Sequence, residues 1–203
     1  YRRVAVKSSN GNINTDIDIL CVLGSKAICV QVKSKKLTEQ SRRGNGDALR
    51  KDFKGAVQDA YEQAWVARQK IIDRSSKFFD ENNNEIKFSE DIDEAYMLVV
   101  TAEHYPAVSH QTKHLIQLKE GSPYPLAMSV FDLELVAHYL PDPYEFLYYI
   151  RQRIDLMDYF HGDEEMSYLG YHLTKKLWKE EKADLVGLDY SQAQIVDRNY
   201  YPF

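Results

Sequence analysis

Residues 16–33 read DIDILCVLGSKAICVQVK, and this stretch decides the fold. Two β-rich runs, 17–23 and 27–33, flank Gly24-Ser25, a pair suited to a tight hairpin turn. With those two as loop residues, Leu20 faces Cys29, Asp18 faces Gln31 and Asp16 faces Lys33. Strand alternation then sets Asp16, Asp18, Gln31 and Lys33 on one face of the sheet. Directly opposed side chains have Cβ atoms about 4.5–5.5 Å apart. The spacing therefore predicts an apolar hairpin whose open end gathers carboxylates, a carboxamide and an ammonium.

Upstream, residues 3–7 read as a short strand and Ser8-Ser9-Asn10-Gly11-Asn12 as a turn. Downstream, 37–46 is a basic, polar loop, and 47–72 is one long helix with no proline and many helix formers. A turn at 80–85 separates Phe78-Phe79 from 86–88. Residues 96–102 form an apolar strand suited to burial on both faces. Pro106 opens a helix to about 118, and 126–130 is a last strand. The chain then becomes helical and rich in tyrosine, over 131–139, 143–159 and 163–182. This order predicts an α/β fold with a mixed central sheet flanked by helices and a helical C-terminal extension. The expected division is a core at 1–130, with residues missing upstream of Tyr1, and an extension at 131–203.

At 203 residues, 44% hydrophobic and 28% charged, the composition is globular and excludes a fibrous or disordered chain. Apolar runs fall short of the roughly 18 residues a membrane span needs, and no basic-then-apolar leader opens the sequence. Cys21 and Cys29 sit in apolar runs and read as small buried hydrophobes, so the chain reads as cytoplasmic. The net charge is −5, but it is unevenly spread. Residues 1–54 hold 12 Lys and Arg against 5 Asp and Glu, whereas the remainder holds 14 against 26. The basic excess peaks at Lys33, Lys35, Lys36, Arg42, Arg43, Arg50, Lys51 and Lys54. Such a patch on an acidic body attracts phosphate locally; a plain solvated face is the alternative.

The hairpin end suits phosphodiester hydrolysis. A hard cation such as Mg²⁺ takes oxygen ligands and keeps several waters. Asp18 supplies one ligand, the Gln31 side-chain oxygen or the Val32 carbonyl another, and Asp16 is a candidate second acid. The metal polarises a phosphoryl oxygen and acidifies a water, while Lys33 holds that water or neutralises charge on the phosphate. A polar strand end with a surface Asp–Lys pair is the plainer alternative.

Asp18 followed by Gln31-Val32-Lys33 after a short hairpin resembles the PD-(D/E)XK, or restriction-endonuclease-like, nuclease superfamily, and most closely its Mrr-like and nuclease-related-domain branches. The resemblance covers residues 3–73 well, and 94–130 only as an order of elements. It implies that Asp18 is the metal-binding aspartate, that Gln31 stands where Glu is usual, and that Lys33 is the motif lysine. Gln31 removes one negative charge from the metal site, although the Mrr-like branch uses Gln here. The acid many members carry on a preceding helix would fall before Tyr1.

Lys51, Lys54, Gln58 and Tyr61 recur at spacings of three and four, which predicts one polar stripe on the 47–72 helix. Gln58 and Tyr61 are similar to the Gln…Tyr motif of RecB-like nucleases, where the spacing is one residue longer. The nucleic-acid-binding set expected is thus Lys35, Lys36, Arg42, Arg43, Arg50, Lys51, Lys54, Gln58 and Tyr61. His110 and His114, four apart, are a weak metal pair with no third ligand. The tyrosines of the extension read as packing rather than base stacking. The expected function is an Mg²⁺- or Mn²⁺-dependent endonuclease acting on DNA, double-stranded rather than RNA, in bacterial defence against foreign DNA or DNA processing. A homodimer or a partner protein would bind through the extension. The rival expectation is a decayed nuclease fold that binds nucleic acid or scaffolds a larger complex.

Overall fold

The computed structural model describes residues 1–8, 11–105 and 108–200, without the side chains of 109, 110, 199 and 200. The chain is α/β, with a large mixed sheet flanked by helices. It divides into two compact units, Tyr1–Val100 and Thr101–Phe203. The division falls between 100 and 101 rather than between 130 and 131.

The first unit holds strands β1 (Arg2–Lys7), β2 (Ile13–Leu23) and β3 (Lys26–Lys33), then helices α1 (Glu39–Arg42) and α2 (Gly46–Phe53). A π turn, Lys54–Gln58, joins α2 to α3 (Asp59–Ile72); β4 (Lys77–Phe79), β5 (Glu85–Ile86) and β6 (Glu94–Thr101) follow. Six strands of the sheet run in the order β5-β4-β1-β2-β3-β6. Gly24, at φ +55°, makes the turn between β2 and β3, and the ladder from Leu23↔Lys26 to Ile19↔Val30 has the register read from the sequence. Val4, Val6, Ile17, Leu20 and Cys29 are buried on these strands. Helix α3 packs on β2 and β3 through Ala60, Tyr61, Ala64, Ala67 and Ile71. Its alanines let the backbone approach closely, so the helix is held firmly against the strands. Truncating Leu20 to Ala would cost about 2–5 kcal/mol.

The second unit holds α4 (Val108–Leu115), β7 (Leu126–Ser129), α5 (Val130–Tyr139), α6 (Pro143–Asp155), β8 (Phe160–His161), α7 (Glu165–Lys175), β9 (Val186–Gly187) and α8 (Tyr190–Tyr200). Strand β7 packs with α4, α5 and α6, which is why residues up to 130 group with the helices rather than with the hairpin. Ser129 and Asp132 form a capping box at the start of α5, and Asp142 caps α6, whose first residue is Pro143. At Gly170 the backbones of α7 and α8 approach closely: a Cβ there would lie 1.9 Å from the Gln192 carbonyl oxygen.

Several sequence expectations need correction. Cys21 is exposed, and only Cys29 is buried, which pushes its thiol up to about 12. The 37–46 loop contains α1, because the Thr38 side chain accepts from the Ser41 amide and starts a turn of helix. The last long helix stops at Lys175, since Lys176 and Leu177 adopt left-handed backbone. Helix α8 was not foreseen. Pro106 and the His110 side chain lie outside the described residues. Among the described residues no helix is long and apolar enough to cross a membrane.

Candidate functional site

The hairpin ladder ends at Ile19↔Val30, and beyond it side chains bridge the strands. The Gln31 amide donates to the Asp16 carbonyl at 2.7 Å, and the Val32 amide donates to the Asp18 carboxylate at 2.7 Å. On the other side of β2, the β1 ladder skips from Arg2↔Ile19 to Val4↔Ile17, and Arg3 between them has φ +48°. The β1–β2 register is the same on either side of Asp18 and shifts only between Val6 and Lys7, so the local departure beside Asp18 is the left-handed backbone of Arg3. In place of a common face, the polar residues divide between two openings.

Asp16 and Lys33 line a cleft of about 650 Å³ walled by Asp59, Glu62, Gln63 and Val66 of α3. Asp18 and Val32 line a smaller one of about 370 Å³ with Arg2, Arg3 and Glu81. Gln31 is only 1% exposed. The Lys33 ammonium donates to the Gln63 side-chain oxygen at 2.6 Å. The acid that shares the cleft with Lys33 is Asp16, to whose backbone carbonyl the buried Gln31 amide bonds. Asp18, the aspartate the resemblance selects, braces the end of β3.

The expected helical stripe breaks at its middle. Lys51 and Lys54 are exposed, whereas Gln58 and Tyr61 are buried. The π turn is the cause. It accommodates one more residue than an α turn, so counting by threes and fours from Lys51 slips by one after residue 54. The exposed row continues instead through Asp59, Glu62 and Val66, and Gln63 joins Asp59, Glu62 and Val66 on the helix face that lines the cleft. The buried Gln58 amide donates to Glu62 at 3.0 Å. Gln58 and Tyr61 thus serve packing, and the lysine row leads into the cleft wall.

The basic segment is held by one buried carboxylate. Asp52, 1% exposed, accepts from the Thr38 amide at 2.7 Å, the Thr38 hydroxyl at 2.8 Å and the Ser41 hydroxyl at 2.5 Å. Lys35 stands 3.6 Å away. Burial raises the Asp52 pKa, but those hydrogen bonds and the Lys35 charge outweigh it and hold the carboxyl at about 2. The anchor is in place above the ordinary carboxylate range and is lost as pH falls toward 2. Lys35, Lys36, Arg42, Arg43, Arg50, Lys51 and Lys54 are exposed on the segment it fixes. Arg43 pairs with Glu39, and Arg50 lies 3.8 Å from Asp47.

The cleft offers the oxygen donors a hard cation takes: the Asp16, Asp59 and Glu62 carboxylates, beside one cation, Lys33. Among the described residues no three His, Cys, Asp or Glu side chains group closely enough to hold a single ion. Mg²⁺ needs only one or two protein carboxylates, because it retains water. The sequence reading missed Asp59, Glu62 and Gln63. Their spacing with Val66 is a helical face, and it was the extra residue of the π turn that hid its connection to Lys51 and Lys54. No family model, no curated protein and no solved structure matches this chain.

Proposed function

We propose that the chain is a metal-dependent nuclease of the restriction-endonuclease-like type, cutting DNA phosphodiester bonds at the cleft between β3 and α3. The observation that carries this reading is the meeting of Asp16 and Lys33 in one cleft, with Gln31 buried beside them. A cleft with three carboxylates and one lysine repels a phosphodiester on its own, so a divalent cation is needed to admit one. Asp16, which lines the cleft with the motif lysine, and the side-chain oxygen of Gln31, whose amide bonds to the Asp16 backbone, are the donors we assign to the cation. Bound there, Mg²⁺ or Mn²⁺ would polarise a phosphoryl oxygen and acidify a water.

The protein's own groups do the rest. Lys33 offers a positive charge to the phosphate oxygen that gains charge during displacement. Asp16 accepts a proton from the attacking water or orients it. The exposed lysines and arginines on the 35–54 segment contact the sugar–phosphate backbone, which carries no sequence information, so cutting has little sequence preference of its own. Bacterial defence or DNA processing, in the cytoplasm, is the setting the family resemblance supports.

A second reading, a nuclease fold that binds nucleic acid without cutting it, is favoured by the separation of Asp18 from Lys33 into different openings. Plasmid nicking with Mg²⁺ or Mn²⁺, beside an EDTA control, decides between them. Metal-dependent conversion of supercoiled to open-circular DNA supports the nuclease. Retarded but uncut DNA at every cation concentration supports the binding module.

A further inference from the structure

We propose that Gln63 is the positioning residue of the centre, its side-chain oxygen fixing the Lys33 ammonium in the cleft shared with Asp16. The inference rests on the nuclease reading above. It begins from the 2.6 Å bond between Lys33 Nζ and Gln63 Oε1. Lysine carries a compact charge on a flexible four-carbon stem, and a mobile ammonium gives up much of its value to a developing oxyanion. One fixed acceptor removes that freedom.

The acceptor's chemistry matters as much as its place. A carboxamide oxygen orients the ammonium without cancelling its charge, whereas a carboxylate would form an ion pair and compete with phosphate. The carboxylate next in sequence, Glu62, is held by the Gln58 amide at 3.0 Å. Gln63 also stands on a rigid element: Ala60, Ala64 and Ala67 of α3 are fully buried. A site on such a helix is held more tightly than one on a loop.

The test compares Gln63→Leu and Gln63→Glu with wild type. It uses plasmid nicking for kcat and KM, and mass-spectrometric acylation kinetics at Lys33, which need no activity. Gln63→Leu removes the acceptor at similar size: kcat is expected to fall about tenfold with KM little changed, and Lys33 acylation to rise several-fold. Gln63→Glu keeps an oxygen in place but pairs with the ammonium: KM is expected to rise, with a smaller loss of kcat and no rise in acylation. Melting temperatures identify any variant that fails to fold, and the other variant then carries the test. Unchanged kcat in Gln63→Leu overturns the proposal, whatever the labelling shows. If wild type cuts nothing with either cation, the nuclease reading itself fails. Raised labelling in Gln63→Leu then leaves the bond to Lys33 as a structural one, and the positioning role falls with it.

Discussion

The cleft beside β3 and the helical layer of the second unit both gather charged side chains, and they treat them in opposite ways. In the second unit Arg153 and Glu165 are each 1% exposed, with both guanidinium–carboxylate bonds at 2.8 Å. The Tyr149 hydroxyl adds a third donor to Glu165 at 2.6 Å, and the Tyr168 ring lies 3.4 Å from the guanidinium carbon. The guanidinium, the carboxylate and the tyrosine hydroxyl of this cluster answer one another and are sealed from solvent. In the cleft Asp16, Asp59 and Glu62 are exposed, and the Lys33 ammonium bonds to a neutral amide. Saturated, sealed charge fixes a fold; charge left facing an opening is available to an incoming ligand. The two regions should therefore respond oppositely to mutation, one in stability and the other in activity.

The largest effect is expected in the sealed region. Arg153→Leu leaves Glu165 charged and buried, and should cost about 3–5 kcal/mol in chemical denaturation. Adding Glu165→Leu should recover much of that loss, because no uncompensated charge remains. A single variant within about 1 kcal/mol of wild type would break the comparison on this side.

The cleft should lose rate instead. Lys33→Ala is expected to reduce nicking about 10²–10³-fold, with the melting temperature nearly unchanged, since the side chain lies at a strand end. Asp16→Asn should fall with it. Asp18→Asn keeps an oxygen for the Val32 amide and should stay near wild type. The reverse order, Asp18→Asn inactive and Asp16→Asn active, would return the acid role to the residue the motif selects.

The third prediction concerns His172, fully buried on α7, with neither ring nitrogen hydrogen-bonded. Its ring stands edge-on to Tyr149 at 5.1 Å and near Tyr148 at 5.8 Å. Burial, aided by the Lys176 charge and opposed by Glu145, pushes its pKa down to about 4. The unfolded chain binds this proton near pH 6.5, so stability is present above that value and is lost as pH falls toward 4. Between about pH 6.5 and 5 the loss should be about 1.5 kcal/mol. Urea titrations across that range, on wild type and His172→Phe, check it: the variant's acid slope should be flatter by nearly one proton.

The smallest effect belongs to the exposed patch. Replacing Arg42, Arg43, Arg50 and Lys51 by Ala should weaken DNA binding about equally for all sequences. Each phosphate left without its cation should lower the slope of log affinity against log salt by about one. An unaltered slope would show these residues to be a solvated face, leaving the cleft without a basic approach.

The hairpin was legible because strand alternation, a Gly-Ser turn and a two-residue loop constrain one another, and the observed pairs from 19 to 23 agree with the count. Its polar end was not legible. There Asp18 and Gln31 bond to backbone on the facing strand, and Arg3 takes a left-handed conformation, neither of which follows from residue type. The helix after it was readable as a helix, but its phase was not, because nothing in Lys54-Gly55-Ala56-Val57-Gln58 announces a π turn. The overlong reading of 163–182 has a similar origin: Lys176 and Leu177, neither a glycine, carry the left-handed stop. Helix α8 depends on Gly170, whose missing Cβ admits the neighbouring backbone, and that dependence is tertiary.

The π turn also bears on how this chain should be compared with others. A helix absorbs a one-residue insertion as such a turn while the surfaces on either side keep their directions. A relative with an uninterrupted α-helix here would be one residue shorter between its basic row and its cleft wall. Aligned from the basic row without a gap, its counterpart of Gln63 would fall opposite Glu62, and the cleft residues of α3 would each be compared with the wrong position. One gap placed within 54–58 restores the correspondence.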